Sequence, residues 1–397
     1  MRVLVVHNHY RQPGGEQVAV EAQVGLLQEA GHSVILYAKD NRVIEQYDLG
    51  QRIAFLLRTV FSWEAYREIK VLVAQNRPDV AHVHNVFPLI SPSVYRALKH
   101  AGVPIIQTVH NFRFLCPNGL LYTQGHLCER CKYGDTLHAL RWRCYRNSYL
   151  LSALYAVTIR LHRRWGTFQM IDHFIAPTEF TAAKLVESGL TTRDKISVLP
   201  HFLPDPLPTP GSFEQRDPHV IYLGRLSPEK GIEILVEAMT GLPSLRLKLL
   251  GDGPLTAAIR DQVQHQQLSN VELLGYVSGE AKWEALRHAL ATVVPSVWYE
   301  VFGFAVLESL AVGTSVVASN LGGIPHVVED RRSGLLFRPR DSANLREKLA
   351  WLVEHPKEAL AMGQYGRYVV QQRYTATTHY AALLEIYRHI LERAEVQ

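Results

Sequence analysis

The 397 residues include 42 Lys and Arg against 37 Asp and Glu, a formal net charge of +5, with 47% apolar residues and four cysteines. A chain this long exceeds one compact core, and its apolar content excludes a disordered polymer, so two domains are expected. No stretch reaches the ~18 apolar residues that cross a bilayer; residues 1–6 read as a first strand rather than a leader, and a cytoplasmic location is expected.

In chain order, residues 3–6, 33–37, 80–84, 105–109 and 173–176 are short apolar runs that predict buried strands. Residues 17–30, 91–100 and 181–188 carry the helical period between them. The alternation makes residues 1–205 a doubly wound α/β domain. Gly14-Gly15 follows the first strand, where a double glycine lets the backbone approach a ligand; a tight helix start explains it equally well. His110 ends the fourth strand, at the edge where open α/β sheets bind ligands. His82 and His84 end the third and are acceptor-side candidates.

All four cysteines, Cys116, Cys128, Cys131 and Cys144, lie in an insertion of about residues 112–165, spaced C-x11-C-x2-C-x12-C. One C-x2-C pair with two flanking cysteines can supply four thiolates to a structural zinc, leaving no open coordination position; unliganded, redox-labile thiols are the alternative. Positive charge concentrates here too. Residues 130–164 hold eight Lys or Arg and one acid, Asp135, and residues 1–205 carry +7 against −2 for the remainder. Such a field draws in anions. Residues 149–165 combine an apolar body with Arg160, Arg163, Arg164 and Trp165, which suits an interfacial helix on an anionic membrane or a buried helix with a solvated basic end.

Residues 200–211 are proline-dense and read as a stiff linker. Beyond them the alternation restarts, with strands at 220–223, 245–250, 271–274, 292–295, 315–319 and 335–337, which defines a second domain over 206–375. Arg225 and Lys230 sit in the loop from Gly224 to Gly231, between a strand and the helix at 232–239. There two cations and helix-end N–H groups suit a pyrophosphate. Gly251 and Gly253, in Gly251-Asp252-Gly253-Pro254, and Gly322-Gly323 form further turns, equally explained by turn chemistry. The segment from Glu300 through Phe302-Gly303 to Glu308 opens a helix whose first amides would face a diphosphate, with Glu308 able to meet a ribose edge. Two glutamates eight positions apart would otherwise only cap and solvate a helix.

The Glu300–Glu308 spacing resembles the E-x7-E signature of retaining glycosyltransferases of family four, with Val301 where many relatives have Pro. The resemblance implies a GT-B fold: α/β, two Rossmann-like doubly wound domains facing across a cleft, with residues 376–397 returning as a helix to the N-terminal domain. It implies that Glu300 and His110 contact the donor sugar and that Glu308 binds the ribose. It further implies that Gly14 and Gly15 lie beside the donor phosphate and acceptor and that Gly251 and Gly253 form the nucleotide-side turn.

The expected activity is retaining transfer of a sugar from a nucleotide-diphosphate donor to a glycan or lipid-linked acceptor, in cell-surface polysaccharide or glycolipid synthesis. Arg225 and Lys230 would stabilise the leaving diphosphate. No Asp-x-Asp occurs, so no catalytic metal is expected. An anionic membrane surface at the inner face is a further expected partner, and nucleic acid is not. The alternatives are a GT-B sugar-nucleotide epimerase or phosphorylase, or a noncatalytic scaffold with a metal-stabilised basic insertion.

Overall fold

The computed structural model describes residues 1–11, 14–214 and 216–395. The chain forms two compact units: residues 1–124, 128–201 and from 376 onward make the first, and residues 125–127 and 202–375 the second. The strands of the first half are β1 (Arg2–His9), β2 (Ser33–Asp40), β3 (Val80–Asn85), β4 (Ile105–Thr108), a hairpin of β5 (Tyr122–Thr123) and β6 (His126–Leu127), β7 (His173–Ala176) and β8 (Ile196–Val198). The first sheet runs β2-β1-β3-β4-β7-β8, parallel throughout. Strands buried on both faces need near-continuous apolar sequence, which is why they are legible.

The core of this unit joins Val3, Val5, Val80, Ile106 and Ile175 to Leu383, Tyr387 and Ile390 of the helix Ala376–Glu395. Burying the Tyr387 ring alone contributes roughly 2 kcal/mol, and its hydroxyl lies 2.7 Å from His82 Nδ1.

In the second unit β9 (Asp217–Leu223), β10 (Arg246–Leu250), β11 (Val271–Gly275), β12 (Ala289–Val294), β13 (Ser315–Ser319) and β14 (Gly334–Phe337) form a parallel sheet ordered β11-β10-β9-β12-β13-β14. Two doubly wound parallel sheets are the expected fold class. Strand order reverses between β1 and β3 in one sheet and between β9 and β12 in the other. Loops leaving those strands flank a crevice at the sheet's carboxyl edge, the usual ligand position of such folds.

The sequence reading does not anticipate β8, the helices Leu49–Val60 and Trp63–Asn76, or, inside the insertion, the β5–β6 hairpin and the short helix His138–Arg141. β1 also runs past its apolar residues to His9, because Asn8 is buried and bonded, donating to Asn41 Oδ1 at 2.8 Å and accepting from Leu89 N at 2.9 Å.

Candidate functional site

The loop after β9 is pinned before any ligand is considered. Tyr222 donates its hydroxyl to the Arg225 carbonyl at 2.8 Å, and a 3-10 turn at Pro228–Lys230 leads to Gly231. Gly231 has φ 69°, and a Cβ there would lie 2.0 Å from the Pro295 carbonyl oxygen, so only glycine fits. Val297 N also donates to Glu229 O at 3.0 Å. The loops that leave β9 and β12 are thus bound to each other.

Within that frame Lys230 Nζ donates to Glu300 Oε1 at 2.6 Å, and Ser296 Oγ and Trp298 Nε1 donate to the same oxygen at 2.7 and 3.0 Å. The ammonium also lies 5.3 Å from the centre of the Trp298 ring. Arg225 Nη2 donates to Glu229 Oε1 at 2.8 Å, as does Ser227 Oγ at 2.6 Å. Burial alone would raise the Glu229 carboxyl, but these two partners hold it below the usual carboxylate range. Each cation is therefore matched by a carboxylate of the same two loops.

Glu308 lies on the helix Phe304–Ala311 and accepts from Lys282 Nζ at 2.7 Å. Gly303, with φ 101°, starts this helix, while the Phe302 ring is buried in the core with Val306, Leu310 and Tyr374. Phe302 therefore has only backbone to offer a ligand. A Cβ on Gly322 would meet Glu300 N and O at 2.8 Å, and Gly323 N donates to Glu300 O at 2.6 Å, so this turn clamps Glu300. Gly251 and Gly253 have a similar structural reason: added Cβ atoms would lie 1.8 Å from Gly224 O and 2.3 Å from Leu226 O. They seat the β10 loop against the β9 loop.

Gly14, Gly15 and His110 belong to the first unit. Gly14 caps the helix Gly15–Glu29 in an extended conformation, and a Cβ on it would meet nothing within 4 Å among the described residues. His110 Nε2 lies 2.9 Å from His84 Nδ1, and its ring stacks on His201 with centroids 5.1 Å apart. His82 is internal, within 2.6 to 2.8 Å of Thr108, Tyr387 and Gln23. Burial holds His7 and His82 down to about 3, and His84 and His110 well below the usual imidazole value, so this cluster is neutral at pH 7.

Glu16, beside the double glycine, accepts from Asn111 Nδ2 at 3.2 Å. Its burial raises it to about 7 against the opposing effects of Tyr10, Arg113 and Asn111. Its Oε1 and both ring nitrogens of His7 have no hydrogen-bond partner among the described residues. Glu229, Lys282, Ser296, Trp298 and Glu16 were missed in sequence. Glu229 alone carried a local signal, since it stands inside the Arg225–Lys230 loop.

The four cysteines are free thiols and line one cavity of about 10 Å³. Cys116 Sγ donates to Asn118 Oδ1 at 3.0 Å, and among the described residues no three His, Cys, Asp or Glu side chains stand in an arrangement that could hold a metal ion. The closed tetrathiolate expected from spacing is thus not assembled as the thiols stand. Burial pushes the Cys116 and Cys131 thiols up to about 11 and about 12, which keeps them protonated. The basic segment forms the helix Tyr149–Arg164, which buries Leu154, Tyr155, Ile159 and His162; Arg163 donates to the Lys132 and Ser188 carbonyls. Among the described residues no helix is long and apolar enough to cross a membrane.

The family model for glycosyl transferases group 1 matches residues 209–369, and that for glycosyltransferase family 4 matches residues 13–204. The chain belongs to the group 1 glycosyltransferases. Within that family it is 32% identical over 158 residues to the D-rhamnosyltransferase WbpZ of Pseudomonas aeruginosa, a match covering 39% of this chain and 41% of that one. The chain thus spans about two fifths of the length of that curated relative. Sucrose-phosphate synthase from Thermosynechococcus elongatus has the same fold, with a TM-score of 0.75 at 19% identity over 99% of both chains. Anabaena HepE in complex with UDP-glucose matches at a TM-score of 0.69 and 17% identity, over 100% of each chain. These solved structures share its GT-B architecture of two doubly wound α/β domains.

Proposed function

We propose that the protein is a retaining glycosyltransferase that moves a sugar from a nucleotide-diphosphate donor to a glycan or lipid-linked acceptor, in cell-surface polysaccharide or glycolipid synthesis. The observation that carries this reading is the Lys230–Glu300 pair, with Arg225 on the same loop, at the point where strand order reverses in the second sheet. Lys230 and Arg225 turn from their carboxylates to the leaving diphosphate and stabilise its charge, assisted by helix amides near Phe302-Gly303. Glu300, released, orients the sugar hydroxyls. Glu308, braced by Lys282, takes the ribose, and Gly251 and Gly253 form the nucleotide-side turn. His110, Gly14 and Gly15 serve the sugar and acceptor side.

HepE was crystallised with UDP-glucose, which supports a nucleotide sugar as donor. A cytoplasmic protein held at the inner membrane face fits the exposed apolar residues Leu49, Ile53 and Leu57, which share one helix with Arg52 and Arg58.

The test is thermal stabilisation of the purified protein by UDP, GDP, ADP and their sugar conjugates, repeated with Lys230→Ala. Stabilisation by one nucleotide family that disappears in the variant is expected. No stabilisation by any of them would overturn the donor site.

A further inference from the structure

The chain's four cysteines come from three separate stretches of the insertion and converge on one cavity. Cys116 lies beyond β4, Cys128 and Cys131 leave the β5–β6 hairpin, and Cys144 follows the short helix His138–Arg141, its N–H bonded to Ala139 O at 3.1 Å. The cavity, about 10 Å³, has room for one water-sized species, and all four residues line it. No disulfide joins any of them.

The backbone around this cavity has little of its own to hold it. Regular structure from Cys116 to Cys144 is limited to two strands of two residues and one helix of four. The local buried cluster is small: Cys131, Ala139 and Ala156, with Leu140 and Cys144 against it. Yet five non-glycine residues, Leu121, Gln124, Arg143, Arg146 and Asn147, adopt φ between 44° and 52°. Left-handed residues at this density persist only where something else over-determines the fold, and segments without a core commonly use a metal or disulfide staple.

Charge supplies a third, independent observation. Arg130, Arg141, Arg143 and Arg146 have no carboxylate partner among the described residues and rest instead on Trp142, Tyr145 and Tyr149 rings. A divalent ion held by four thiolates is a compact centre of net charge −2, which these guanidinium groups complement.

We propose that Cys116, Cys128, Cys131 and Cys144 bind one thiophilic divalent cation, zinc being the ion that suits four thiolates, and that this ion staples the insertion. Among the described residues no three His, Cys, Asp or Glu side chains are arranged to hold an ion as they stand, so binding requires the sulfurs to turn about their side-chain torsions into a tetrahedral shell. Four Cys–SH groups and one Zn²⁺ give Zn(S–Cys)₄²⁻ and four protons released to solvent, with no change in oxidation state. His138 also lines the cavity, but its Nε2 lies 3.5 Å from Asp135 Oδ2, and four sulfurs complete the shell without it.

The test uses the full chain, purified under reducing conditions from zinc-supplemented cells, with metal content read by elemental analysis and Co²⁺ as a spectroscopic probe. About one zinc per chain is expected, and the Co²⁺-exchanged protein should show the visible bands of a tetrahedral thiolate site. Cys128→Ser and Cys131→Ser should each lose those bands. Should the variants fail to fold, the wild-type Co²⁺ spectrum decides by itself. Substoichiometric metal without thiolate bands in folded wild-type protein overturns the proposal, as would disulfides between these cysteines. Neither readout depends on a donor or an acceptor.

Discussion

Lys230 and Glu300, 70 positions apart in sequence, form an ion pair with Nζ 2.6 Å from Oε1. Glu300 gathers Lys230, Ser296 and Trp298 on that one oxygen, and its other oxygen takes part in none of these bonds. The two residues should therefore fail differently. Lys230→Ala should abolish stabilisation by nucleoside diphosphate and lower turnover by about 10²-fold or more. Glu300→Gln should keep the response to nucleoside diphosphate and lose turnover. Equal loss of nucleotide binding in both would contradict the division of labour.

Lys282 holds Glu308 at 2.7 Å, with both side chains largely buried. If Glu308 meets the ribose, Lys282→Ala should weaken nucleotide binding roughly ten- to a hundredfold, the range of one charge-assisted hydrogen bond, while leaving kcat nearly unchanged. Isothermal titration with the nucleoside diphosphate, beside steady-state kinetics, measures both.

The first unit should respond to pH in two windows of opposite sign. Glu16 rises by burial from an ordinary 4.5 to about 7. Below pH 4.5 it is protonated in both folded and unfolded chains and costs nothing. Between 4.5 and 7 only the unfolded chain ionises, so stability falls, and above 7 the loss is constant. Glu16→Gln should thus be more stable than wild type at pH 8, by up to about 3 kcal/mol, with the gain vanishing toward pH 4.5. His7, His82 and His201 are held down to about 3 from 6.5 by burial, so stability is lost as pH falls through the interval from 6.5 toward 3. Urea melts at pH 5, 6.5 and 8 for both proteins separate the two effects.

The helix Leu49–Val60 leaves Leu49, Ile53 and Leu57 at 76%, 59% and 72% exposure, spaced four apart on one face. Sedimentation with anionic vesicles at low salt is expected, and replacing all three by Gln should reduce it roughly tenfold or more. Neutral vesicles should recover little protein. Wild-type binding that is indifferent to the triple substitution would move the contact elsewhere.

Parallel strands were readable because residues such as Val3–Val6 and Val316–Ala318 must be apolar on both faces, and the loops carrying Arg225, Lys230 and Glu300 follow such strands. What escaped reading depended on burial or on distant partners. Nothing near Glu308 announces Lys282, and nothing in Gly14-Gly15-Glu16 announces that Glu16 is enclosed by Tyr10, Asn111 and Arg113. β8 is only three residues long, and the helix Leu49–Val60 turns its regular apolar face outward. Gly251 and Gly253 look the same in sequence whether they approach a ligand or, as here, a neighbouring carbonyl.

The helix Ala376–Glu395 has a consequence for biogenesis. It supplies Leu383, Tyr387 and Ile390 to the core of the first unit, whereas the second unit, apart from three hairpin residues, is one continuous stretch. On the ribosome the half that is begun first is finished last. A nascent chain halted before residue 376 carries a second unit with its core whole and a first unit whose Ile106 and Ile175 lack their cover, the state a chaperone would meet.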